Sequence, residues 1–218
     1  MRRLWMDADD QEEVVRRFWL PLLLTLHACA SDMATPARPA DPYADRVVSF
    51  APGLFAGFGQ DKMPAVVLGP PHGMGDTAGS LDVVSLGQGG TIVVAFDDVM
   101  AVDGPGPDLL VFENAFKGFT ESGQVAASAD GVTWFAWPCD PKTLLGCAGA
   151  HPVYAAPGNG ISATDPAVAG GDGFDLAAIG LKSARFLRVT DTGANQYEGT
   201  SGGFDLDAVA VVHGQAVP

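Results

Sequence analysis

The chain has 218 residues, room for one β-rich domain plus a leader, and its 28 glycines and 16 prolines fall between short apolar runs. A formal charge of −14 argues against a nucleic-acid partner, whose phosphates attract a basic face, and fits a solvated secreted surface, a cation-binding surface, or both. Three cysteines, Cys29, Cys139 and Cys147, with no zinc-like spacing, suit one lipidated thiol and one short disulfide, Cys139 to Cys147, in an oxidising compartment.

The first fifteen residues are acidic and make a poor secretion signal, so the first dozen or so read as an over-extended start. Arg16-Arg17 followed by Phe-Trp-Leu-Pro-Leu-Leu-Leu-Thr-Leu-His-Ala makes a better one: a positive start, about eleven mostly apolar residues, then small residues. That run is shorter than the roughly twenty residues a membrane span needs. Leu26-His27-Ala28-Cys29 resembles the bacterial lipoprotein signal, with His27 departing from the small residue usual there; an ordinary signal peptide cut near Ala30 is the alternative. Residues 1–29 are thus expected to be a signal peptide and 30–45, rich in proline and alanine, a tether. The domain is expected over 46–218, lipid-anchored outside the cytoplasm at the bacterial outer membrane or cell surface.

From residue 46 the apolar runs are short and β-rich: 46–50, 65–68, 80–86, 91–96, 109–112, 124–128, 133–137, 174–179, 185–190 and 206–213. Glycine, proline or aspartate separates nearly every pair, and no segment past the leader keeps a helical period. The expectation is an all-β fold, an antiparallel β-sandwich of the jelly-roll, galactose-binding-like kind. Residues 138–172 carry the cysteine pair and almost no periodicity, and a loop of that length inside a domain is usually functional or specially braced. Gly173-Phe-Asp-Leu176 and Gly203-Phe-Asp-Leu206 echo one another, and each reads as a strand start with glycine turning, phenylalanine entering the core and aspartate capping or binding.

The central stretch is Val102-Asp-Gly-Pro-Gly-Pro-Asp-Leu-Leu-Val-Phe-Glu-Asn114, a rigid turn flanked by Asp103 and Asp108 that feeds a strand ending in Glu113 and Asn114. With Asp191, Asp205 and Asp207 these offer the oxygen ligands a hard cation wants, which makes calcium the candidate cofactor, with none other indicated. Asp205 and Asp207 alternate on a strand and would share a face. The competing reading is turn and cap chemistry, with Glu113 paired to Arg188. Trp134 and Trp137 on one expected strand, and Tyr154 and Tyr197 in loops, are candidate contacts for a sugar ring, set against packing in the core. No histidine sits in a nucleophile motif, and nothing sets the distance between two carboxylates as glycoside hydrolysis requires.

Four blocks together, Ser85-Leu-Gly-Gln-Gly-Gly-Thr-Ile-Val-Val-Ala-Phe96, the 102–114 stretch, Ala127-Ser-Ala-Asp-Gly-Val-Thr-Trp134 and Gly202-Gly-Phe-Asp-Leu-Asp-Ala-Val209, resemble a family of bacterial secreted and cell-surface proteins, many of them lipoproteins. That resemblance implies an envelope address more than an activity. A weaker likeness, through Ser128-Ala-Asp-Gly-Val-Thr-Trp134 and Ala184-Arg-Phe-Leu-Arg-Val189, is to galactose-binding (discoidin-type) jelly rolls, and it implies a binding module. The function expected is a non-catalytic surface binding or adhesion module, its partner a surface glycan or another envelope protein. The alternatives are a structural envelope lipoprotein without a small ligand and a glycan-active hydrolase.

Overall fold

The computed structural model describes residues 40–195 and 199–217. The leader, Cys29, most of the expected tether and Tyr197 lie outside the described residues. Twelve strands run through the described chain: β1 Arg46–Ala51, β2 Val84–Ser85, β3 Thr91–Ala95, β4 Val99–Val102, β5 Leu109–Glu113 and β6 Gly123–Ser128. They continue as β7 Phe135–Ala136, β8 Asp172–Phe174, β9 Ser183–Ala184, β10 Phe186–Asp191, β11 Asp205–Val211 and β12 Gly214–Ala216. They assemble into a five-stranded sheet, β1-β3-β10-β6-β7, a four-stranded sheet, β2-β11-β5-β8, and a small sheet, β12-β4-β9. The strand pairings are antiparallel.

The two larger sheets pack face to face as a β-sandwich. Ile92, Val94, Val125, Ala127, Leu187 and Val189 of the first meet Leu109, Val111, Leu206, Val209 and Val211 of the second in one buried cluster. Their β-branched and leucine side chains suit a pleated surface, and each fully buried one contributes roughly 1.5–3 kcal/mol of apolar transfer.

The four-stranded sheet is covered on both faces, and that is why β5 and β11 are buried at every position. Leu110, Phe112, Ala208 and Ala210 turn away from the inter-sheet core and pack against Val153, Ala155, Ala163 and Ala169. Those four alanines and valines belong to the long 138–172 loop, so the loop is a packed third layer. Cys139 and Cys147 are joined by a disulfide that staples its first turn.

Pairing with the domain begins before Arg46. Tyr43 bridges to Ala210, the Val211 N–H donates to Pro42 O, and Ala44 is fully buried, so residues 41–45 lie on the sandwich. The run at 65–68 is a 3₁₀ turn, Ala65–Val67, directly after Pro64, and only Val66 and Val67 are buried there. The run at 174–179 divides: β8 ends at Phe174, and a 3₁₀ turn, Leu176–Ile179, follows with Asp175 as its cap and Gly180 at φ 73° closing it. β4 and β12 pair with each other and had no counterpart among the expected strands.

Candidate functional site

The seven acidic or amide residues expected to bind metal fall into separate places. Asp103 and Asp108 flank the Gly104–Pro107 turn and meet Asp175; these three carboxylates bring oxygens within 4.8 Å of one another. Each is already engaged by the protein. Asp108 is fully buried; its Oδ1 accepts from Gly104 N and lies 2.8 Å from His213 Nδ1, and its Oδ2 accepts from Leu176 N at 2.8 Å. Asp103 takes the Lys182 ammonium at 2.6 Å, and Asp175 Oδ1 accepts from Ala177 N at 2.8 Å. One buried aspartate thus fastens the turn, the 176–179 segment and the end of the chain together, which is turn and cap chemistry.

Asp191, the last residue of β10, is likewise occupied. Its Oδ1 accepts from Gly89 N and Gly193 N at 2.8 Å each, and its Oδ2 from Phe204 N at 2.9 Å. It ties the end of the five-stranded sheet to the start of β11. Asp207 was expected beside Asp205, but the β11–β5 register slips between Leu206 and Ala208, leaving Asp207 as the extra residue of a bulge. It stands instead with the 72–82 segment: its Oδ2 accepts from His72 N at 2.8 Å, and His72 Nδ1 lies 3.0 Å from Asp82 Oδ2. Burial, then the Asp82 charge, pushes Asp207 up to about 8.

Glu113, Asn114 and Asp205 do come together, and they are joined by Glu121. The antiparallel pairing dictates the meeting. Glu113 ends β5 opposite Leu206 of β11, so Asp205 is beside it, while Asp191 ends β10 opposite Gly123, two residues after Glu121. All four carboxylates therefore lie at one end of the sandwich, with Phe204 between the sheets; it is fully buried and donates its N–H to Asp191.

Glu113, Glu121 and Asp205 are 1%, 0% and 4% exposed. Neither oxygen of Glu113 or Glu121 completes a hydrogen bond, and Asp205 Oδ1 and Asn114 Oδ1 also go without. Asp205 Oδ2 accepts from Asn114 Nδ2 at 3.2 Å, and the nearby Ser85 hydroxyl donates to Gly202 O. Desolvation, then the Asp205 and Glu121 charges, hold Glu113 well above the carboxylate range; the N–H groups of Asn114 and Asp205 counter this in part. Burial followed by the Asp205 and Asp191 charges pushes Glu121 up to about 9. Burial raises Asp205 to about 7, against the pull of Ser85 and Asn114. Arg188 does not pair with Glu113. Its guanidinium sits 4.6 Å from the centroid of Trp134.

A cleft of about 750 Å³ opens between the 138–172 loop and β8, lined among others by Leu144, His151, Tyr154, Val168, Asp172 and Phe174. His151 stands in it largely exposed, its Nδ1 2.6 Å from Asp172 Oδ1. Asp172 is held in turn by the N–H groups of Gly149 and Ala150 at 2.7 and 3.0 Å. Its carboxyl is raised by burial against the opposing pull of His151. The Tyr154 hydroxyl donates to Asp76 Oδ1 at 2.7 Å, which fixes the ring at the rim and raises its pKa.

Of the expected sugar contacts, Tyr154 lines this cleft. Trp134 is half-buried under Arg188. Trp137 is 5% exposed, donates its indole N–H to Asp175 O at 2.8 Å and packs edge-on to Phe174, so it is a core residue and not a platform. The regular strand there shrinks to Phe135–Ala136, so Trp134 and Trp137 both fall outside it. Glu121, His151 and Asp172 were not expected. Gly149 connects the two places: it sits at φ +82° with its Cα against Glu121 O, where an added Cβ would come to 1.9 Å, and its N–H serves Asp172. No family model and no curated protein matches the chain.

Proposed function

We propose that the domain is a non-catalytic, extracytoplasmic surface-binding module that takes a glycan in the cleft of the 138–172 loop. The observation that carries this reading is the built character of the cleft. A long loop is packed on a sheet, closed by a disulfide, and presents His151 and Tyr154 with each side chain fixed by an aspartate. A few oriented polar groups among apolar walls are what a small polar ligand needs. Among the described residues Asp172 is the only carboxylate lining the cleft, and it is engaged by two N–H groups and an imidazole. Glycoside hydrolysis asks for two carboxyl groups roughly 5–9.5 Å apart, so this lining favours binding over cleavage.

The disulfide supports an oxidising compartment. With the lipoprotein-like Cys29 and the cell-surface resemblance of the 102–114 and 202–209 blocks, it favours lipid anchoring at the bacterial envelope. The jelly-roll form of the sandwich belongs to the same reading, through the discoidin-like blocks. The charge of −14 speaks against nucleic acid.

The test is a glycan array probed with the full chain, followed by titration of any hit against Tyr154→Ala and His151→Ala. Binding that weakens at least about tenfold in either variant, with the melting temperature kept, supports the cleft. A blank array, or binding indifferent to both substitutions, overturns it and favours a structural envelope protein or a protein partner.

A further inference from the structure

We propose that Glu113, Asn114, Glu121 and Asp205 form a calcium site at the end of the sandwich where β5 and β10 finish and β11 begins. The acidic cluster alone would not carry this. The deciding observation is that six buried oxygens in it, Oε1 and Oε2 of Glu113 and of Glu121, Oδ1 of Asn114 and Oδ1 of Asp205, complete no hydrogen bond, the N–H groups of Asn114 and Asp205 acting on Glu113 only as electrostatic neighbours. Buried polar atoms in folded proteins are overwhelmingly satisfied, so a concentration of bare acceptors at one place marks where a positive group belongs. The Asp103, Asp108 and Asp175 triad is the instructive contrast. Its oxygens crowd closer, yet each carboxylate already has an N–H or ammonium partner.

The donor set selects the cation. Three carboxylates and an amide carbonyl are hard oxygen ligands, without the thiolate or imidazole that zinc or copper prefers. Calcium takes six to eight oxygens in flexible geometry, with backbone carbonyls and water free to complete the shell, while magnesium demands a near-ideal octahedron. The Glu113, Glu121 and Asp205 oxygens are spread more widely than those of the Asp103 triad, so binding draws these carboxylates inward. A hollow of about 240 Å³ lined by Phe58, Ser80, Phe116 and Phe119 reaches Asn114 and Asp205, two of the four residues. A cation here would bind residues flanking three strand ends of both sheets, and Glu121 would pass the constraint to Gly149 and the long loop.

The experiment is thermal unfolding of the full chain in EDTA and then in about 10 mM calcium. Extracellular calcium modules bind at roughly 0.1–1 mM, so linkage raises the midpoint by roughly 3–10 °C. Glu121→Gln and Asp205→Asn, which keep shape and remove charge, each abolish most of the rise, and Asp175→Asn keeps it. Isothermal titration of the wild-type chain with calcium gives a second readout that needs no variant to fold. No rise and no heat overturns the site and makes the cluster a set of protonated acids. A rise that survives Glu121→Gln and Asp205→Asn places calcium elsewhere and overturns it equally.

Discussion

Asp108→Ala should be the most damaging single change in the 102–114 stretch, and for reasons unconnected with metal. The native carboxylate is fully buried and takes the N–H groups of Gly104 and Leu176 and the His213 ring nitrogen, each at 2.8 Å. Truncation leaves two backbone donors without an acceptor, at about 1–3 kcal/mol each, while the half-exposed imidazole recovers part of its loss from water. The sum is roughly 3–5 kcal/mol. At about 2–4 °C per kcal/mol for a chain of this size, the midpoint falls by roughly 6–20 °C. Asp108→Asn keeps one acceptor oxygen and should lose about half as much. Calorimetry in EDTA and again in calcium measures both variants, and the drop should be the same in the two buffers. A fall of less than about 2 °C, or one present only with calcium, would refute the view of Asp108 as a fastener of turn, cap and terminus.

Two further outcomes are expected. In EDTA the domain should lose stability as pH rises from about 5 to 9. Glu121 at about 9 and Asp205 at about 7 keep their protons in the folded state after the unfolded chain, with carboxyl pKa values near 4, has released its own. The contribution is whole below the unfolded pKa and gone above the folded one, so the midpoint falls through that window, and Glu121→Gln makes the fall shallower. Asp130, lowered to about 2 by the Thr133 and Val132 N–H groups, acts only below about pH 4 and does not compensate. A midpoint that climbs between pH 5 and 9 in EDTA contradicts the burial of these acids. Reduction of Cys139–Cys147, which opens a loop of sequence separation 8, removes roughly 2–3 kcal/mol of chain constraint local to the 138–172 layer. Limited proteolysis should then cut within 138–172 before the sandwich unfolds, and cleavage confined to other segments would count against the staple.

Much of the sandwich was legible because β3, β5, β10 and β11 are rich in β-branched residues or leucine and lie between strong turn residues. The pattern failed where its physical basis is weak. Val66 and Val67 are apolar and buried, but Pro64 starts a 3₁₀ turn beneath them, and Val99–Val102 and Gly214–Ala216 are too short and too close to aspartate or glycine to stand out. The bulge at Asp207 could not be seen from alternation, which assumes a regular ladder. Three of the four residues at the acidic end were readable: Glu113 and Asn114 close a strong strand, and Asp205 sits in the repeated Gly-Phe-Asp-Leu. Glu121 gave no signal, because it lies in an irregular 115–122 segment and is brought in only by the β6–β10 register. His151 and Asp172 lie 21 positions apart in the sequence and are joined only by the folding of the loop between them onto Phe112 and Leu110.

The most direct measurement is a crystal structure of the protein grown in about 10 mM calcium, tenfold or more above the expected dissociation constant. The account predicts one strong peak bonded at roughly 2.3–2.6 Å to oxygens of Glu113, Glu121 and Asp205, with the Asp103, Asp108 and Asp175 triad left as it is. An empty acidic end with its carboxyls hydrogen-bonded to one another, or a peak at the Asp108 turn, would contradict it.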